Sequence, residues 1–538
     1  MKTIKGNIVD VVNKEIFKGE IYFTNKIEKI VRKNVDENQF ILPGFVNAHV
    51  HIESSMLCPS EFSKQVVKHG TVAVVTDPHE IANVLGVKGI NFMINDAENG
   101  PVKVFFGAPS CVPATSFETS GCTINSDEIK RLLSKKEIYF LSEMMNFPGV
   151  IFNDTEVNAK LKLAKYFNKP IDGHAPGLKG KDLKKYVSSG ISADHECFDI
   201  SEAFEKIKLG MKIQIREGSA AKNFEALYPL IDSHPDMVMF CTDDSHPDDL
   251  INGHINLIAK KAFAKKLNYF NILRACSYNP VKHYNLPVGL LQTNDPADFV
   301  VANNKFFSHI ISVYINGDDK LNNVSSFKSA LSPNNFNTSF INKKDISFKN
   351  NGNFCNVISV LDGELITKRE RLNYTEVFEK DDKLKSGFNK IVVKNRYNKS
   401  AKPIIGIVKN FNIKTGAIAS TIAHDSHNII SIGASDKEII KAINMVIKTK
   451  GGISACNNNL SEILPLEIAG LMTSKNGNWV AKKYKSISDF AKTKLGSTLH
   501  APFMTMSFLA LLVIPELKIG DKGLFDIRTL QFVNLFEN

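Results

Sequence analysis

A chain of 538 residues exceeds what one hydrophobic core organises, so two or three domains are expected. With 43% hydrophobic and 23% charged residues, the composition excludes a disordered or fibrous protein. The net charge of +11 comes largely from scattered lysines, with no arginine cluster or aromatic-interleaved basic stripe, so no nucleic-acid partner is expected.

The cysteines (Cys58, Cys111, Cys122, Cys197, Cys241, Cys276, Cys355 and Cys456) show no C-x-x-C spacing. They read as free thiols of a reducing cytoplasm, not as a disulfide framework or a thiolate zinc site. The opening Met1 to Asn7 lacks the apolar stretch of a signal peptide. The longest apolar run, Phe503 to Ile514, is too short to span a bilayer and contains Thr505 and Ser507. It reads as a core segment, and no membrane partner is expected.

In chain order, residues 1–43 carry short alternating runs such as Ile8-Val9-Asp10-Val11-Val12, broken by Asn, Lys and Gly. These predict small antiparallel strands. Over 44–284 the pattern changes to strand-like apolar pieces alternating with helical stretches. After the opening Phe45 run come Thr71–Thr76, Val102–Phe106, Ile138–Leu141, Pro170–Asp172, Ile191–Ala193, Lys212–Ile215 and Met237–Cys241. Eight β/α units predict an α/β fold, a parallel (β/α)₈ TIM-like barrel. Short strands return after Pro287, and 285–345 is expected to complete, with 1–43, a small composite β-sandwich domain. Residues 320–355, rich in Asn, Ser and Lys, read as a linker, and 350–538 as a C-terminal α+β domain.

The chemistry is concentrated at the predicted strand ends, where such barrels build their sites. The first ends in His49 and His51, which share one face because successive strand side chains alternate. Two imidazoles aimed at one point suit a metal ion, although a bare His-x-His also fits partly buried histidines in a turn. Later strand ends carry Asp77-Pro78-His79-Glu80, Glu143, His174, His195-Glu196, Arg216-Glu217-Gly218-Ser219 and Asp243-Asp244. A single histidine after a strand is more often structural than a ligand. It is the ordered set at consecutive strand ends that argues for a metal-dependent active site.

The stretch Pro43-Gly44-Phe45-Val46-Asn47-Ala48-His49-Val50-His51 resembles the opening of the amidohydrolase superfamily, metal-dependent hydrolases on a (β/α)₈ barrel. Further stretches resemble its adenine deaminase family: His51-Ile52-Glu53-Ser54-Ser55-Met56, Thr76-Asp77-Pro78-His79-Glu80-Ile81-Ala82-Asn83-Val84, Asp172-Gly173-His174-Ala175-Pro176-Gly177, Arg216-Glu217-Gly218-Ser219-Ala220-Ala221 and Thr242-Asp243-Asp244-Ser245-His246-Pro247. Gly416-Ala417-Ile418-Ala419-Ser420, His424-Asp425-Ser426-His427-Asn428 and Ile514-Pro515-Glu516-Leu517 extend the likeness over nearly the whole chain. It implies hydrolysis of adenine to hypoxanthine and ammonia, a purine-salvage reaction, with iron or manganese.

Carried onto this chain, the resemblance implies that His49, His51 and Asp243 hold one ion, that His174 and His195 hold a second, and that Glu143 bridges them. A binuclear Mn(II) or Fe(II) centre is expected; the His/carboxylate set also suits Zn(II). Asp243 is the candidate proton shuttle, with Asp244 the alternative if Asp243 caps a turn. Glu217 is the first candidate for protonating the ring, with Glu80 and Glu196 as alternatives. His79 is a second candidate catalytic or contact residue, or else a helix start. Arg216, Ser219 and Glu80 are candidate contacts to the purine. His424–Asn428 is either a loop reaching the barrel mouth or a turn network of its own domain.

Two other readings are a cyclic amidohydrolase of dihydroorotase type, which a strand-four lysine would favour, and a non-catalytic scaffold, which lost ligands would signal. The H-x-E and P-C-x-x-C pair of the base-flipping zinc deaminases does not occur in that arrangement. A two-fold homodimer is the default expectation.

Overall fold

A computed structural model describes residues 1–219, 221–321, 331–349, 352–381 and 383–538. The expected linker at 320–355 lies partly outside them. The central element is a parallel sheet running in order Phe45–His51, Thr71–Thr76, Lys103–Ala108, Ile138–Met144, Ile171–Gly173, Ala193–Asp194, Lys212–Arg216 and Val238–Cys241. A ninth piece, Asp243–Asp244, pairs with Val50 and His51 of the first strand and brings the last strand's end back to the start. The strands are the predicted ones because each is a short β-branched or aromatic run bounded by turn residues. Thr71–Thr76, for example, is buried along its whole length, as strands covered on both faces are.

A seven-stranded mixed sheet is built from both flanks of the barrel segment, with Phe40–Pro43 hydrogen-bonded between Lys2–Asp10 and Phe299–Ala302. The C-terminal region forms a second, mostly antiparallel sheet. In its centre, Ala417–Ser420 and Ile429–Gly433 pair antiparallel, leaving residues 421–428 as the connecting loop. Helix Asp436–Lys448 covers this sheet. Ser435 caps it by accepting from the Glu438 amide, and Ile439, Ala442, Ile443, Val446 and Ile447 are buried on one stripe. A three-stranded sheet, Leu517–Gly520, Gly523–Asp526 and Gln531–Val533, lies near the chain end. No helix of the described residues is long and apolar enough to cross a membrane.

Candidate active site

Strand parity decides what enters the barrel. Asn47, His49 and His51 alternate with the apolar Val46, Ala48 and Val50, so the three polar side chains share the interior face. Asn47 locks the first strand to the last: its Nδ2 donates to Thr242 Oγ1 at 2.7 Å and its Oδ1 accepts from the Thr242 amide at 3.1 Å. Beyond Cys241, Asp243 adopts φ +56°, a left-handed turn that aspartate tolerates better than most side chains. The turn swings its carboxylate toward His49 and His51.

His174 is placed by the residue before it. A Cβ on Gly173 would lie 2.8 Å from Ala193 O and 3.0 Å from Tyr186 Oη, so only glycine fits there. The His174 amide donates to Tyr186 Oη at 3.0 Å, and that hydroxyl donates to Met144 O at 2.8 Å, tying the fifth strand's end to the fourth. Buried Lys206 braces the next loop, donating to Ala175 O at 2.8 Å, Asp194 Oδ2 at 3.1 Å and Glu202 Oε1 at 2.7 Å.

The donors converge around Glu143. Its Oε1 lies 3.2 Å from His51 Nε2 and 4.0 Å from His49 Nε2, whereas Oε2 lies 2.7 Å from His174 Nδ1 and 3.4 Å from His195 Nε2. Asp243 Oδ1 is 3.3 Å from His51 Nε2 and 3.7 Å from His49 Nε2. His51 Nδ1 lies 3.1 Å from the Asp77 carbonyl, which fixes that nitrogen as a donor and turns Nε2 toward the centre.

Electrostatics fits the same picture. Burial, with His195 and His51 alongside, holds His49 well below the usual imidazole value, so it is neutral. Burial opposes ionisation of Glu143, but hydrogen bonds from His174, His51 and His79 outweigh it and hold the carboxyl well below its usual range. Burial likewise opposes charge on His174, yet Glu196 and Glu143 pull it up to about 9. Ionised carboxylates and imidazole nitrogens converge here at ligand spacing. Donor atoms of His49, His195 and Asp243 lie within 4.8 Å of one another, as do those of Glu143, His174 and His195. Such a set fits a divalent metal.

The other expected site residues divide. Arg216 lines the cavity, with its guanidinium committed to Glu196, at 2.9 Å to Oε2, and to Asp243 Oδ2 at 2.7 Å. His79 begins helix His79–Leu85 and also reaches the centre: its Nδ1 lies 3.1 Å from Asp77 Oδ2 and 3.3 Å from Glu143 Oε1. Asp244 accepts from Ser54 Oγ.

Two expectations are corrected. Glu217 does not line the cavity; it ion-pairs with Lys261 on helix Ile255–Ala264. The reason is parity: Gln214 and Arg216 face the interior, so the next residue faces out. Ser219 is outside as well, donating to Asp249 Oδ2 at 2.6 Å and accepting from the His246 amide at 2.8 Å.

The C-terminal domain closes the site. Loop 421–428 enters the barrel mouth, where His424 Nδ1 lies 2.7 Å from Glu80 Oε1 and His427 Nε2 pairs with Oε2. Of the two readings of His424–Asn428, the structure bears out the loop that reaches the barrel. The resulting cavity has a volume of about 310 Å³. Its polar floor is the His/carboxylate cluster, and its roof is apolar: Leu365, Phe508, Leu511, Val513 and Ile514. The run read from sequence as plain core is therefore partly cavity wall.

The wall is anchored by Lys518, fully buried, whose Nζ donates to Leu365 O at 2.7 Å and Phe508 O at 3.1 Å. Burial pulls its ammonium down to about 7 from the ordinary 10.5. Between these values the unfolded chain binds a proton that the folded chain has released, so this group makes stability rise with pH. The stability of the wild type relative to Lys518→Met should climb by up to about 1.4 kcal/mol per unit above neutrality. Thermal midpoints of the two proteins between about pH 7 and 10 check this, and a constant difference would contradict it.

Comparison with known proteins agrees with this architecture. Residues 40–320 match the amidohydrolase family, and residues 364–531 match the adenine deaminase C-terminal domain. The adenine deaminase of Methanosarcina mazei is 49% identical over 561 aligned residues, covering 100% of both chains. That of Sulfurovum is 48% identical and that of Borreliella burgdorferi 46%, each over 99% of both chains. The chain belongs to the adenine deaminase family. Membership of an amidohydrolase family with this buried cluster makes it a metal-dependent hydrolase. Full-length likeness to deaminases, with Glu143 where a lysine would have favoured the alternative, does not favour a cyclic-amide hydrolase or a scaffold.

Proposed function

We propose that the chain hydrolyses adenine to hypoxanthine and ammonia, in purine salvage. In this reading His49, His51 and Asp243 would hold one divalent ion, His174 and His195 would hold a second, and Glu143 would contribute to both. The observation that supports two ions most directly is the division of Glu143: one carboxylate oxygen faces the His49/His51 pair and the other the His174/His195 pair. Manganese or iron suits these ligands. When bound, the ions supply a water whose pKa is lowered toward neutrality.

The reaction forms a C6–O bond and breaks the C6–N6 bond, and of the water's two protons one ends on ring nitrogen N1 and one on ammonia. Asp243 takes the role of proton carrier to the departing amine. Burial opposes its charge, but the His51 hydrogen bond and Arg216 outweigh this and hold the carboxyl well below its usual range, so it is ionised before substrate arrives. With Glu217 facing away, the ring proton falls to Glu80. It lines the cavity beside His424, which Glu80's own charge holds at about 9 against the effect of burial. His424 is thus protonated at neutral pH and holds Glu80 as the carboxylate, which takes one proton of the water and passes it to N1. Arg216 pairs with Glu196 and holds Asp243 in place. His79, between Asp77, Glu80 and Glu143, orients the two glutamates.

The test is direct. Protein loaded with Mn(II) or Fe(II) should convert adenine to hypoxanthine, followed by ultraviolet absorbance, and a chelator should abolish the turnover. Absence of turnover at confirmed metal occupancy with either ion would contradict the reading.

A further inference from the structure

We propose that Phe508 is a positioning residue for the reaction: its ring lies against the His424 imidazole and holds it on Glu80, the carboxylate that carries a proton to the purine. This deepens the adenine reading above and rests on it. The two rings stack with centroids 4.6 Å apart and planes 16° from parallel. The edge of the imidazole then meets the barrel, where His424 Nδ1 lies 2.7 Å from Glu80 Oε1. Phe508, His424 and Glu80 all line the one cavity, so roof, imidazole and proton carrier form a single line of contacts from the C-terminal domain into the barrel.

Phe508 is itself held from behind. It ends helix Pro502–Phe508, and its carbonyl accepts from Lys518 Nζ at 3.1 Å. Its buried side chain packs with Met504 and Leu511 and against Leu365 and Ile514. Of the roof residues Leu365, Phe508, Leu511, Val513 and Ile514, only Phe508 offers a π face. An imidazolium under an apolar roof has lost hydration; an aromatic face returns part of that loss, whereas aliphatic carbons do not. The stack also fixes the plane of the imidazole, and a turn of that ring would carry Nδ1 away from Glu80.

The titratable groups facing His424 come from three places. Glu80 stands on helix His79–Leu85, Asp425 (Oδ1 at 3.8 Å) and His427 on its own loop, and Asp244 and His246 beyond the eighth strand. Burial opposes its charge, and Glu80, Asp244 and Asp425 outweigh this to raise it to about 9. With His424 charged, Glu80 is the stronger acid once it has taken a proton from the water, and passes that proton to N1 more readily. A residue that only fills the roof would act on binding and stability whatever stands at position 424. One that acts through His424 loses its effect when the imidazole is removed.

The experiment measures kcat and KM for adenine from about pH 6.5 to about 10 in Mn(II)-loaded wild type, Phe508→Leu, Phe508→Tyr, His424→Asn and the Phe508→Leu/His424→Asn double variant. Metal content and melting temperature are recorded for each, and Phe508→Met, nearer in volume, takes the place of Phe508→Leu if that variant does not fold. In Phe508→Leu, kcat at about pH 8.5 should fall about 10-fold and its alkaline limb should move about one unit lower, with KM changed less than about threefold. Phe508→Tyr, which keeps the aromatic face, should hold the wild-type limb. In the His424→Asn background, Phe508→Leu should cost less than about twofold. Equal losses in both backgrounds, or an alkaline limb that does not move, at wild-type metal content and melting temperature, would overturn the proposal. A wild type inactive on adenine would instead overturn the activity on which it rests.

Discussion

Glu143→Gln should lower adenine turnover by about 10³-fold or more, equivalent to about 4 kcal/mol of transition-state stabilisation. An amide keeps the shape of the side chain but presents one oxygen and one NH₂ to two imidazole pairs that each face a carboxylate oxygen, His51 at 3.2 Å and His174 at 2.7 Å. One half of the cluster then meets a donor where it needs an anion. Metal content measured beside the rate separates this from a purely chemical defect. The variant should retain less metal than the wild type and regain little activity with added Mn(II). Full activity at full occupancy would remove Glu143 from its bridging role.

Glu80→Gln should cost about 10² to 10³ in kcat, the scale of losing a general acid–base group, with a smaller change in KM. The expectation rests on how the carboxylate is held. Burial pushes its pKa up, but His424, His427 and His79 outweigh this and keep it ionised. Burial holds His427 down to about 4, a neutral donor, whereas His424 is raised to about 9, so Glu80 receives one charged and one neutral hydrogen bond. The same contact docks the C-terminal domain onto the barrel. His424 has its pKa raised above the unfolded 6.5, so its contribution to stability is complete below that value and lost as pH rises through about 9. The stability advantage of wild type over Glu80→Gln should therefore shrink on going from near-neutral to alkaline pH, as thermal unfolding of the two proteins would report. A difference that grows with pH would contradict the assigned charge on His424.

Much of the barrel was legible in the sequence because its strands are short, apolar and separated by helical stretches, so period and punctuation agree. The cluster was legible because His49 and His51 share a face by parity and the other ligands follow consecutive strands. The same parity rule, applied one residue past Arg216, would have turned Glu217 outward toward Lys261. What sequence pattern does not contain is long-range placement. Nothing local to His424 or Asp425 says that they meet Glu80, which lies 344 residues from His424 along the chain. Nor does the apolar Phe503 to Ile514 run say which of its side chains face a cavity; burial against core and burial against a substrate select the same residue types. Closure of the sheet by Asp243–Asp244 escaped for a different reason, since it depends on a left-handed backbone at Asp243 that many sequences could adopt.

The central claim, that Glu143 unites two metal positions in one working centre, is tested most directly by titrating metal-free protein with Mn(II) and following adenine turnover at each step. The account predicts activity that rises until about two ions per chain are bound and then stays level, in keeping with a shared bridging carboxylate. Full activity at one bound ion, or binding of two without turnover, would contradict it.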